Sequence, residues 1–87
     1  MIHELKLCKR FYDAVESGIK TYEVRRNDRN FAVGDTLLLR PVTDDTREYI
    51  NELPSISADV SYMLEESGWG IEKGYCVLAL RNVKVMK

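Results

Sequence analysis

Apolar and polar residues alternate from Ile2 to Leu7, with His3, Leu5 and Leu7 on one face and Ile2, Glu4 and Lys6 on the other. That two-residue period is the signature of a β-strand. From Lys9 to Ser17 the period lengthens. Phe11, Ala14 and Val15 recur at i, i+3 and i+4 with Tyr12 at the margin, which predicts one apolar stripe on a short helix. Gly18 follows, and glycine's tolerance of positive φ commonly ends a helix. Lys20–Arg26 returns to residues that suit a pleated surface, with Tyr22 and Val24 pointing one way and Thr21, Glu23 and Arg25 the other. A polar loop over Asn27–Asn30 and the anchors Phe31 and Val33 lead to Gly34-Asp35, a turn signal. Thr36–Arg40 then reads as a third strand, apolar enough to be largely buried.

Pro41–Pro54 has few large apolar residues and reads as a surface excursion with a helical turn at Arg47–Leu53. Ile56–Leu64 alternates again, setting Ile56, Ala58, Val60 and Tyr62 against Ser55, Ser57, Asp59 and Ser61, as in a strand with one solvated face. Ser67-Gly68-Trp69-Gly70 and Lys73-Gly74 bracket a flexible loop. Tyr75–Leu80 is a continuous apolar run suited to a central strand, which Val83 and Val85 extend or follow with a short terminal one. The element order is β-α-β-β-β-β. Four strands without helical crossovers argue against a doubly wound parallel sheet. The expected architecture is α+β: a partly closed β-barrel of five or six strands, with one helix after the first strand plugging an end. Closure removes the open edges of a small sheet.

Composition narrows the function classes. The chain has 87 residues, is 45% apolar and 31% charged, and is expected to form one soluble domain over 1–87. No apolar run approaches the roughly 20 residues that span a bilayer. Charges interrupt the first apolar stretch, so no secretory signal is expected and the cytoplasm is the expected compartment. Cys8 and Cys76 lack metal spacing and are expected to be buried thiols. His3 is the single histidine, so a Ser-His-Asp triad would have to use it. Sharing a face with Leu5 and Leu7, it reads first as an interior histidine and second as an acid or base. The net charge of −1 divides into +2 over residues 1–40 and −3 over 41–87. With a pI of 5.8, any nucleic-acid ligand must meet a local basic patch rather than a broad stripe. No Gly-rich phosphate loop, metal cluster or DNA-specific motif is present, so no cofactor is expected.

The segment after the helix carries the chemistry. Gly18 ends the helix, so Lys20 stands where helix meets sheet and can project into a cleft at the barrel mouth. Glu23 and Arg25 share a strand face, and a carboxylate beside a guanidinium stays ionised. Arg25, Arg26 and Arg29 offer planar forks for phosphates or base edges. The plainer alternative is a surface ion pair worth about 0–1 kcal/mol. Trp69, between glycines, is either a stacking platform for a base or a loop anchor.

Taken together, HELK at residues 3–6, Phe11-x-x-Ala14-Val15-x-x-Gly18-x-Lys20-Thr21-x-Glu23-x-Arg25 and Phe31-x-Val33-Gly34-Asp35 resemble the ASCH family of the PUA-like superfamily. With NDRNF at 27–31 and Gly-Tyr-x-Val-Leu at 74–78, the chain is similar to the small DUF3850 branch. The resemblance covers Ile2 to about Arg40 and returns at Gly74–Leu80. It implies a small barrel whose cleft binds RNA or a modified nucleoside. In that reading Lys6, Lys20, Arg25 and Arg26 line the cleft, Glu23 accepts from a base amino group, and Tyr75 or Trp69 stacks. It also implies an alternative, an amidohydrolase acting on an acylated cytidine-type nucleoside with Lys20 and Glu23 as catalytic groups. Such hydrolases carry Thr three residues after the lysine. Here that position is Glu23, and Thr21 points to the other strand face.

Overall fold

The chain folds as β1 (Ile2–Cys8), α1 (Lys9–Glu16), β2 (Tyr22–Arg26), β3 (Thr36–Val42), β4 (Ile56–Leu64) and β5 (Tyr75–Val85) in a computed structural model that describes residues 1–65 and 69–86. The five strands form one curled, half-barrel sheet in the order β1-β3-β4-β5-β2, the partly closed α+β barrel expected from the pattern. β1 runs parallel to β3, and every other neighbouring pair is antiparallel. β4 therefore occupies the centre, and the apolar run of β5 lies one place off it, between β4 and β2. No helix among the described residues is long and apolar enough to cross a membrane.

The concave side of the sheet holds the core. Leu5 and Leu7 of β1 meet Leu37 and Leu39 of β3, Ile56, Ala58 and Val60 of β4, and Cys76, Leu78 and Leu80 of β5. Burying a side chain as large as Leu37 or Ile56 contributes about 1.5–3 kcal/mol. α1 closes one side of this core, though it is turned from the stripe its spacing predicts. Tyr12 and Val15 are buried, Ala14 is half-buried, and Phe11 keeps 36% of its surface. The cause is a polar anchor: Tyr12 Oη donates to the Pro54 carbonyl at 2.7 Å, which turns that ring inward. The helix ends as expected. Gly18 takes φ +82°, and the Lys20 amide reaches back to the Ala14 carbonyl at 2.9 Å.

Three local expectations are corrected. Residues 47–53 form no helix; a single turn, the Leu53 amide to the Ile50 carbonyl at 3.3 Å, is all that stands there of the expected helical turn. The excursion is a hairpin-like loop in which Val42 bridges Tyr49 and the Thr43 amide bonds the Glu48 carbonyl at 2.9 Å. In β4 the alternation breaks between Val60 and Tyr62, where the register with β5 shifts. The extra residue re-aims the side chains, so Tyr62 is 64% exposed and Met63 packs on the core instead. The third concerns the thiols: Cys76 is buried as expected, but Cys8 is only half-buried. Of the predicted flexible loop, residues 67–68 lie outside the described residues.

His3 is an interior residue. Its Nε2 donates to Asp35 Oδ2 at 2.8 Å, and its ring meets Phe31 edge-on with centroids 4.8 Å apart. Asp35 also accepts from the Ala32 amide and from the Met1 ammonium. These bonds, that of His3 foremost, hold its carboxyl below the usual Asp range.

Candidate functional site

Because the sheet curls without closing, its edge strands β1 and β2 face each other across a seam. Side chains span it. Arg25 of β2 donates to the Lys6 carbonyl of β1, and Arg29 donates to the Glu4 carbonyl at 2.8 Å. At the α1 end the seam widens into a cleft of ≈ 290 Å³.

The floor is Glu23. Its side chain is 5% exposed although the strand's apolar residues, Tyr22 and Val24, face outward. This carboxylate can be buried because each oxygen meets a cation. Lys20 Nζ donates to Oε1 at 2.6 Å, and the Arg25 guanidinium donates twice to Oε2, at 2.9 and 3.1 Å. Lys20 also donates to the Tyr22 carbonyl at 2.7 Å and lies over the rings of Phe11 and Tyr22. Phe11, turned out of the core by the rotation of α1, forms one wall, with Leu7 and Cys8 beside it. Val24, at the rim, and Lys6, Arg10 and Arg47 complete the lining. Five cationic side chains against one carboxylate leave a local charge of +4 in a chain whose net charge is −1.

Lys6, Lys20, Glu23 and Arg25 thus converge in one cleft, while the other sequence-predicted residues lie elsewhere. Arg26 follows Arg25 and so leaves the opposite face of the strand. It pairs with Tyr75 of β5, its guanidinium 5.8 Å from that ring, and the bond to Tyr75 raises the Arg26 pKa. Trp69 borders a different groove with Tyr62, Met63 and Leu64. Sequence reasoning missed Cys8, Arg10, Phe11 and Arg47. Phe11 falls on the apolar stripe that its spacing predicts for the core. Arg10 and Arg47 arrive from a helix start and a distant loop, and no short-range spacing relates them.

Chemically, the cleft is built to hold an anionic or hydrogen-bonding ligand. Glu23 is held by Lys20 and Arg25 as a hydrogen-bond acceptor. No Ser or Thr hydroxyl lines the cleft among the described residues.

Residues 2–80 match the family described as "Domain of unknown function (DUF3850)". A curated relative from Escherichia phage P2, the "Uncharacterized 12.9 kDa protein in GpA 3'region", is 50% identical over 38 residues, covering 44% of this chain and 35% of that protein. The chain thus spans about a third of the length of the relative it matches.

Proposed function

Since this chain belongs to the DUF3850 family, we propose that it is a recognition module for RNA or a modified nucleoside, an ASCH-type member of the PUA-like superfamily acting in the cytoplasm, with the seam cleft as its binding site. One observation carries the reading: a deeply buried carboxylate, Glu23, fixed by Lys20 and Arg25 at the floor of a strongly positive cleft. Cations with an aromatic wall are the elements that hold nucleic acid, by phosphate attraction and by stacking. A pinned carboxylate adds the acceptor that distinguishes a base carrying an exocyclic amine. The volume, ≈ 290 Å³, lies just under the range of small-ligand pockets, roughly 300–1,000 Å³, and so suits one nucleoside rather than a duplex.

Hydrolysis of an acylated cytidine is the weaker reading. Glu23 stands where the related hydrolases carry Thr, so the hydroxyl nucleophile is missing at that position. The test is to follow amide chemical shifts of labelled protein on titration with a short mixed-sequence RNA and, separately, with N4-acetylcytidine. Shifts centred on Lys6, Lys20, Glu23 and Arg25 support the module. Release of cytidine reverses the order of the two readings. Undisturbed cleft amides with both ligands sink the proposal.

A further inference from the structure

The five cations of the cleft fall into two groups. Lys20 and Arg25 share the charge of Glu23. Lys6, Arg10 and Arg47 have no carboxylate within salt-bridge distance of their side chains among the described residues. What they do touch is weak. Lys6 lies 5.3 Å from the Tyr49 ring and Arg10 lies 4.8 Å from the Phe11 ring. Among the described residues the Arg47 side chain donates to the Cys8 sulfur, at 3.5 Å, and a thiol sulfur is a poor acceptor. One further acid, Asp44, stands close by. It accepts from the Arg10 amide at 3.2 Å, which lowers the local balance to +3 when it is counted.

Folding gathers these three side chains from separate places: Lys6 from β1, Arg10 from α1 and Arg47 from the loop after β3. Arg47 is held there with φ +58°, a conformation non-glycine residues seldom adopt, by the bond from its amide to the Thr43 carbonyl at 3.1 Å. Among the described residues, these three cations from three segments meet ring faces and a sulfur around one mouth, and no carboxylate pairs with their side chains.

We propose that Lys6, Arg10 and Arg47 form a phosphate seat at the mouth of the cleft, so that the ligand is a nucleotide and not a free nucleoside. The inference rests on the binding reading above and adds the ligand's charge to it. Two planar guanidinium forks and an ammonium match phosphate oxygens, and charge-assisted bonds of this kind are about twice as strong as neutral ones. The base then lies inward, toward Glu23 and Phe11. The phosphate can be the terminal monoester of a nucleotide or a diester within an RNA strand.

Calorimetric titration with each common ribonucleoside beside its 5′-monophosphate tests the seat. At low salt the monophosphate is expected to bind about tenfold tighter or more than its nucleoside. In an Arg10→Gln/Arg47→Gln variant with an unchanged melting temperature, that ratio is expected to fall toward one. A 5′-hydroxyl RNA that also loses affinity in the variant assigns the seat to a diester; loss confined to 5′-phosphorylated ligands assigns it to the terminal group. Equal affinity for nucleoside and monophosphate overturns the seat and leaves the binding reading standing. Silence from nucleosides, nucleotides and RNA alike overturns both.

Discussion

Glu23 and Glu4 both pair with arginine, yet their surroundings give the two pairs different weights. Glu23 is nearly sealed, and its partners Lys20 and Arg25 keep only 14% and 19% of their side-chain surface. Glu4 meets Arg40 at 2.8 Å with 53% of its side chain in solvent. Removing one partner of a buried pair strands the other charges, a cost of about 3–5 kcal/mol, whereas an exposed pair contributes about 0–1 kcal/mol. Glu23→Gln is therefore expected to cost about 2–4 kcal/mol in a urea melt, after allowance for the residual exposure of its partners. Glu4→Gln is expected to change it by less than about 1 kcal/mol. Equal effects would mean that the pocket around Glu23 is wet. The Glu23–Arg25 relation was legible in the sequence because strand neighbours at i and i+2 share a face. Its burial was not, since Tyr22 and Val24 are the more apolar pair and still point outward.

Among the elements, β4 and β5 show how an alternating pattern can mislead near its end. Their registers shift in two places, around Ser57/Asp59 and around Val60/Tyr62. On β5 the inward set Cys76, Leu78 and Leu80 gives way to Val83, and Asn82 at the change takes φ +57°. Asparagine tolerates this left-handed conformation better than most residues, and its Nδ2 donates to Asp59 Oδ2 at 2.9 Å. A β-branched residue there is strained and loses that bond. Asn82→Val is expected to lower stability by about 1–3 kcal/mol in chemical denaturation. Asn82→Gly keeps the conformation and is expected to cost less than about 1 kcal/mol. A valine variant as stable as the glycine one would show that the bulge is dispensable. The strands themselves were legible from their period. The bulges were not, because one inserted residue leaves the composition of a strand unchanged while reversing its faces.

At the scale of the whole molecule, two carboxylates fasten distant parts of the sheet and make its stability acid-sensitive. Asp35 ties the Gly34 turn to His3 of β1. Asp59 of β4 ties Thr36 of β3 to Asn82 of β5, bonds that hold its carboxyl below the usual range. A carboxyl whose pKa is depressed by folding adds stability that is fully present above its unfolded value, near 3.9, and is lost as pH falls through the folded value. Melting temperature is expected to hold steady from neutrality to about pH 5 and to drop increasingly below about pH 4. Asp35→Asn should start lower at neutral pH and fall less steeply in acid. An acid limb with the wild-type slope would remove Asp35 as its source. The order of elements and the closing curl were legible from period and chain order alone. The cleft was legible only in part, because Lys20, Glu23 and Arg25 are sequence neighbours while Arg10 and Arg47 meet them only through the tertiary fold.

The parallel pairing of β1 with β3 also has a kinetic consequence. β3, β4 and β5 follow one another along the chain as antiparallel neighbours, whereas β1 cannot pair until α1, β2 and the Gly34 turn have been passed. Closing that longer loop costs entropy before any contact repays it. During refolding, pulse-labelled amides of β4 are therefore expected to gain protection before those of β1, and simultaneous protection would argue against this sequence of events. Arg25 and Arg29 can reach the β1 carbonyls only after both flanking strands have docked. The cleft is then the last part of the molecule to come into being, and a ligand that occupies it selects chains that have finished folding.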